Sequence, residues 1–143
     1  MKKILALTLL LGVTNLTATD ESFNVTMTLF AGITITETQA LLFPSQQALT
    51  VGTYTVLTGD AGAATFTATG NPSANFTRSV VEASINMTNG GSTIPVNAFT
   101  VAGPTAFDVS GNAVGLKVGA TATVDATDIA GSYTGAATYR IIY

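Results

Sequence analysis

Hydrophobic and polar residues alternate along much of the chain that follows residue 22. From Phe23 to Ile35 every odd position is apolar, whereas the even positions are polar or glycine, except Phe30. Successive side chains of a β-strand point to opposite faces, so this alternation predicts a strand with one buried face. The run is longer than the roughly 3–10 residues of most strands, and Gly32 marks the point where we expect it to bend or change partner.

Shorter strand-like runs follow, and residues typical of turns separate them. Asn89-Gly90-Gly91 is a strong hairpin signal, and Gly103-Pro104 closes another run. The runs cover residues 48–57, 64–69, 76–87, 94–101, 114–124 and 132–143. Seven or eight short strands at this spacing predict an all-β fold. We expect an immunoglobulin-like antiparallel β-sandwich, with a small β-barrel as the alternative.

The composition is typical of a β-protein with a substantial core. Hydrophobic residues make up 47% of the 143 residues and charged residues only 9%, compared with about 25% charged residues in typical soluble domains. A chain with this fraction of hydrophobic residues is expected to fold rather than to be intrinsically disordered. The formal charge of −3 comes from five basic and eight acidic residues. Five cationic side chains are too few to bind the phosphates of a nucleic acid.

The first eighteen residues have the pattern of an export signal. Lys2 and Lys3 precede an apolar run over residues 4–13, and Leu16-Thr17-Ala18 supplies a plausible cleavage end. The apolar run is shorter than the roughly 20 residues that span a bilayer. We predict a signal peptide (1–18), an N-terminal extension (19–32) and a β-sandwich domain (33–143). The alternative for the first segment is a buried strand or helix. The signal predicts export through the inner membrane, to the cell surface or the periplasm.

Residues that commonly perform catalysis are scarce in this chain. It contains no His and no Cys, so the commonest general base, the commonest zinc ligands and the best nucleophile are missing. Acid–base chemistry would fall to Asp125 with Asp128, or to Asp20 with Glu21. A glycosidase also needs two carboxylates across a sugar-sized cleft, and the chain has no Trp to form a platform for the sugar. We predict a protein without catalytic residues or cofactor that is not an enzyme.

One short segment resembles a calcium loop in its composition. Asp108, Ser110 and Asn112 place side-chain oxygens at alternate positions, and oxygen atoms are the ligands that calcium prefers. The order differs from that of an EF-hand, in which a glycine follows the third ligand. Asp and Asn also hydrogen-bond to their own backbone in β-turns. We therefore predict a turn at this position and no metal site.

The N-terminal extension carries apolar side chains at alternate positions. They are Phe23, Val25, Met27 and Leu29. In donor-strand complementation, a segment of one subunit adds a strand to the next and inserts alternate side chains into its pockets. We predict that these residues form such a donor strand. The alternative is that they form the first strand of a complete, monomeric sandwich.

The closing segment also reads as a strand with one apolar face. The residues on that face include Tyr133, Tyr139, Ile141 and Tyr143. A strand at a sheet edge exposes unpaired backbone groups and tends to recruit another strand. We predict that these side chains lie in the core or line the groove that receives the donor strand.

Two segments carry a family resemblance. Residues 61–76, AGAATFTATGNPSANF, and the closing GSYTGAATYRIIY resemble the bacterial secreted family called domain of unknown function 4402, and the resemblance covers most of residues 33–143. The closing strand is also similar to that of chaperone–usher pilins and spore-coat-U-like subunits. Those subunits have an immunoglobulin-like fold that lacks one strand. This chain departs from many of them because it has no disulfide pair.

Taken together, these features predict a non-catalytic structural subunit of a cell-surface fibre. Its predicted partner is a second copy of itself, and the resemblance to pilins implies a periplasmic chaperone and an outer-membrane usher as further partners. The alternative is a monomeric adhesion or carbohydrate-binding module at the surface or in the periplasm. Exposed tyrosines with polar neighbours would favour that alternative, because sugars stack on aromatic faces.

Overall fold

Eight β-strands form two antiparallel sheets in the computed structural model, which describes residues 19–143. The predicted signal peptide lies outside the described residues. The all-β, antiparallel prediction is confirmed. The described residues contain no helix long and apolar enough to cross a membrane. The strands are β1 (Thr34–Gln39), β2 (Gly52–Val56), β3 (Ala64–Thr69), β4 (Thr77–Val80), β5 (Ser84–Asn89), β6 (Ser92–Ala102), β7 (Asn112–Val124) and β8 (Tyr139–Ile142).

The long strand β7 organises the larger sheet. One edge of β7 pairs with β3 along its first half and with β2 along its second half, while the other edge pairs with β6. The full order is β1-β3-β7-β6-β5, with β2 beside β7. Strand β2 approaches β7 so closely that a Cβ at Gly119 would collide with the carbonyl oxygen of Val56. The glycine therefore allows one strand to hold two neighbours on the same edge.

The smaller sheet consists of β4 and β8 and packs over the larger one. Ile141 of β8 is buried in the same cluster as Leu116 of β7. The rings of Tyr139 and Phe66 stack between the layers with their centroids 4.6 Å apart. The two layers are thus joined by apolar contacts from β8.

Most of the buried apolar side chains form two clusters, while Val56, Ala63, Ala64 and Val118 lie outside both. The first lies beneath β8, and the second lies on the face of the larger sheet that β6 and the second half of β7 form. Their members are Ala68, Phe76, Phe107, Ala113, Leu116 and Ile141 in the first cluster, and Ile94, Val96, Ala120, Ala122 and Val124 in the second. A domain usually has one contiguous core, so the division indicates that apolar side chains are missing between the clusters.

Three strand predictions were wrong in extent. Residues 23–33 form no strand, because no sheet edge lies beside them, and β1 begins at Thr34. The predicted strand over residues 76–87 is two strands, since the chain leaves the small sheet after β4 and joins the large sheet as β5. In the closing segment only Tyr139–Ile142 forms a strand, and Thr134 makes an isolated bridge to Thr88 of β5.

Candidate functional site

The four alternating apolar side chains of the N-terminal extension are exposed to solvent. Phe23, Val25 and Met27 are each 83% exposed, and Leu29 is 81% exposed. Side chains of these types are usually found inside a folded protein. A contiguous row of them on the surface indicates a segment that interacts with another molecule.

Tyr143 holds the base of this extension. Its hydroxyl donates a hydrogen bond to the carbonyl oxygen of Ala31 at 2.6 Å and accepts one from the backbone N–H of Asn71 at 2.7 Å. Its ring packs against Phe30, with the ring centroids 5.0 Å apart. Ile33 is half-buried and packs against the first core cluster. The extension is therefore fixed at residues 30–33, whereas residues 23–29 project from the domain.

The residues predicted on one face of the closing segment lie in four different environments. Ile141 is in the first core cluster, and Tyr143 anchors the extension. Tyr139 and Tyr133 are half-buried and line different cavities. The structure therefore brings only the two tyrosines to the groove described next.

Two adjoining cavities form a groove over the larger sheet. Their volumes are about 260 Å³ and about 410 Å³. Leu41, Phe43 and Met87 line both of them, which makes the groove continuous. Phe66 and Val96 form part of its floor. Phe66 packs against the first core cluster, and Val96 is a member of the second. The groove therefore lies where the core is divided.

One side of the groove is formed by residues 133–138, here called the Ala137 rim. Thr134 exchanges two backbone hydrogen bonds with Thr88, and the carbonyl oxygen of Thr138 accepts one from Val81. Along an extended chain, successive residues direct their N–H and C=O groups to alternate sides. Gly135 and Ala137 therefore direct theirs to the opposite side. In residues 19–143 their backbone makes no hydrogen bond.

The opposite side is formed by residues 40–43, here called the Leu41 rim. Leu42 donates a backbone hydrogen bond to the carbonyl oxygen of Gly62 at 2.8 Å. By the same alternation, the backbone groups of Leu41 and Phe43 face away from that neighbour. Within the described part of the chain, neither makes a backbone hydrogen bond. The groove is thus flanked by two stretches of unpaired backbone.

Two titratable groups lie beside the groove. Glu82 accepts hydrogen bonds from the backbone N–H of Thr138 at 2.7 Å and from its hydroxyl at 2.8 Å. These bonds lower the pKa of Glu82 below its ordinary value, and they hold the Ala137 rim in place. Burial raises the pKa of Tyr139, against the opposing effect of Arg78. The Tyr139 hydroxyl is buried without a hydrogen-bond partner among the described residues.

The aspartates considered for calcium binding and for acid–base chemistry accept hydrogen bonds from nearby turn residues. Asp108 Oδ1 accepts hydrogen bonds from the backbone N–H groups of Ser110 and Asn112, both at 2.8 Å. Asp128 Oδ2 accepts one from the backbone of Asp125 at 2.7 Å, and its Oδ1 accepts one from Ser92. Residues 19–143 contain no group of three His, Cys, Asp or Glu side chains that could hold a metal. The first of these segments is the turn that its sequence predicts.

Sequence reasoning missed the Leu41 rim. The only local signal is the apolar run Leu41-Leu42-Phe43, which Pro44 ends. Its alternation is broken by Leu42, whose side chain is 60% exposed. A short apolar run ended by proline predicts a strand or a loop equally well, so the rim could only be recognised once its neighbours were known.

The chain matches one known protein family. Residues 29–143 match the family model described as "Domain of unknown function (DUF4402)". The match includes both rims, the floor of the groove and β1 to β8, and it begins at Leu29. No curated protein and no solved structure matches the chain.

Proposed function

This chain belongs to the domain of unknown function 4402 family, and since that description assigns no activity, we propose from its geometry that it is a non-catalytic subunit of a cell-surface fibre. The subunits assemble by donor-strand complementation, as in the chaperone–usher pilins that its closing segment resembles. Export across the inner membrane follows from the predicted signal peptide. A periplasmic chaperone would bind the subunit before assembly, and an outer-membrane usher would export it.

The observation that carries this proposal is the exposure of the extension. Four large apolar side chains alternate over residues 23–29, and each is more than four-fifths exposed. A first strand of a complete, monomeric sandwich would bury that face on its own domain. Instead, the domain holds the extension only at its base, through Tyr143. This arrangement favours a segment whose apolar face is buried in another subunit.

The tyrosines give less support to the carbohydrate-binding alternative. Tyr133 and Tyr139 are half-buried, and the single proton of the Tyr133 hydroxyl has two acceptors within the domain, Ser92 Oγ at 2.7 Å and the carbonyl oxygen of Ile129 at 2.9 Å. The Tyr139 ring stacks on Phe66. Both side chains are therefore held by contacts within the domain. No second function is therefore proposed.

Removing the extension tests the proposal. We expect the mature chain, residues 19–143, to form polymers in size-exclusion chromatography, and a variant lacking residues 19–30 to remain monomeric. The reason is that the deletion removes all four donor side chains and leaves β1 to β8 intact. Monodisperse monomers of the intact mature chain at high concentration would contradict the proposal and favour the monomeric adhesion module.

A further inference from the structure

The groove between the Leu41 rim and the Ala137 rim has the features of a site from which one strand is missing. It lies between the two core clusters, where the buried Ala64 and Val118 line it and belong to neither cluster. Both rims direct unpaired backbone groups towards it. Unpaired backbone groups along a strand edge tend to recruit another strand, so these features indicate an occupant with its own backbone donors and acceptors.

We propose that this groove is occupied by residues 23–29 of a second copy of the chain. The inference rests on the proposed function and deepens it, since it identifies the receiving site. The inserted strand pairs with Leu41 and Phe43 on one side and with Gly135 and Ala137 on the other. Its four apolar side chains enter the groove and join the two clusters into one core.

The length of the occupant agrees with that of the longer side of the groove. The stretch from Tyr133 to Tyr139, which runs along the groove, has seven residues, as has the stretch from Phe23 to Leu29. Seven residues of a strand extend over about 23 Å. A strand lying between the rims places every second side chain over the sheet, and residues 23–29 are apolar at those positions.

The anchor at Tyr143 favours a second copy over the chain's own extension. To enter its own groove, the extension would have to reverse direction at residues 30–33. Phe30 packs on the Tyr143 ring, and Ala31 accepts a hydrogen bond from its hydroxyl. Both contacts hold the backbone where the reversal would begin. The extension of another molecule can enter the groove without breaking them.

Gly135 shows how close the Ala137 rim lies to β5. A Cβ at this position would lie 3.0 Å from the carbonyl oxygen of Asn86 and 3.2 Å from the Cα of Met87. The rim is therefore held on the side of β5, which leaves its other side open to the groove. The Ala137 rim and the Leu41 rim therefore stay apart, although no strand of the described residues lies between them.

Disulfide cross-linking between two different chains tests the site, because the chain contains no cysteine of its own. One mature chain carries Thr26→Cys, and a second carries Ala136→Cys. Thr26 alternates with the apolar positions of the extension, so its side chain faces away from the receiving core. Ala136 is exposed and borders the smaller cavity. Asn24→Cys and Thr28→Cys replace Thr26→Cys in parallel samples to cover neighbouring registers. As the matched control, Val109→Cys is used instead of Ala136→Cys. Val109 is 85% exposed and lies in a turn that does not line the groove.

After mild oxidation of the mixed chains, we expect a covalent dimer that joins the extension to position 136, at least tenfold more abundant than the dimer with position 109. Polymers whose extension cross-links equally to both positions would overturn the groove assignment but leave the fibre subunit standing. Mixed chains that never associate would overturn both. An intramolecular disulfide in a diluted double variant, Thr26→Cys/Ala136→Cys, would show that the chain's own extension fills the groove and would also overturn the inference.

Discussion

Placing two charges on the apolar face of the extension is expected to abolish polymer formation. In Val25→Asp/Met27→Asp, two of the four donor side chains no longer contribute their burial, which is worth about 3–6 kcal/mol at about 1.5–3 kcal/mol each. Since about 1.4 kcal/mol corresponds to a tenfold change in affinity, the association constant falls by at least about 10²–10⁴-fold. Burying two unpaired carboxylates lowers it further. Analytical ultracentrifugation of the mature chain measures the change.

The same segment provides a matched control for this substitution. Thr26→Asp/Thr28→Asp adds the same charge to the other face of the strand, where the side chains remain in solvent. We expect the association constant to stay within about tenfold of that of the unaltered chain, because surface charges contribute little. Equal losses in the two variants would mean that charge rather than apolar burial controls assembly. The melting temperature of the monomer should not change in either variant, since these side chains are exposed.

The second large effect is expected in the core, at Leu116. This side chain is completely buried at the centre of the first cluster. We expect Leu116→Ala to lower the free energy of unfolding by about 2–5 kcal/mol, because the substitution removes buried methyl groups and leaves a cavity. Domains of this size have a total stability of only about 5–15 kcal/mol, and the described chain has no disulfide to offset the loss. Urea unfolding of the extension-deleted chain measures the effect without interference from polymers.

Val114→Ala supplies the control for the core substitution. Val114 lies in the same strand, two residues before Leu116, but its side chain is 69% exposed. We expect its free energy of unfolding to change by less than about 1 kcal/mol, as surface substitutions usually do. Similar losses at the two positions would contradict the burial pattern of β7.

Local patterns were sufficient to predict the strands whose partners are close in the sequence. The Asn89-Gly90-Gly91 turn joins β5 to β6, and Gly90 has the positive φ of 59° that such a turn requires. Alternation also predicted most of β7. In both cases the residues that decide the structure are adjacent along the chain, so a short window contains the information.

The same patterns could not predict which strand-like segments find a partner. Residues 23–29 alternate as regularly as a strand does, but no sheet edge of the described chain lies beside them. Residues 76–87 also alternate, but the chain changes layers after Val80 because β4 pairs with β8, which lies about 60 residues further along. The Leu41 rim depends on neighbours in the same way. Pairing between distant segments is set by the assembled layers, and alternation alone does not encode it.

The measurement that tests donor-strand exchange most directly is hydrogen exchange of residues 23–29, followed by mass spectrometry in the polymer and in the Val25→Asp/Met27→Asp monomer. In the monomer these residues project from the domain, so their amides should exchange as rapidly as those of an unfolded peptide. In the polymer they should exchange at least about 100-fold more slowly, because each is paired within a neighbour's sheet. Rapid exchange of residues 23–29 in both samples would contradict strand donation, whatever the size of the assembly.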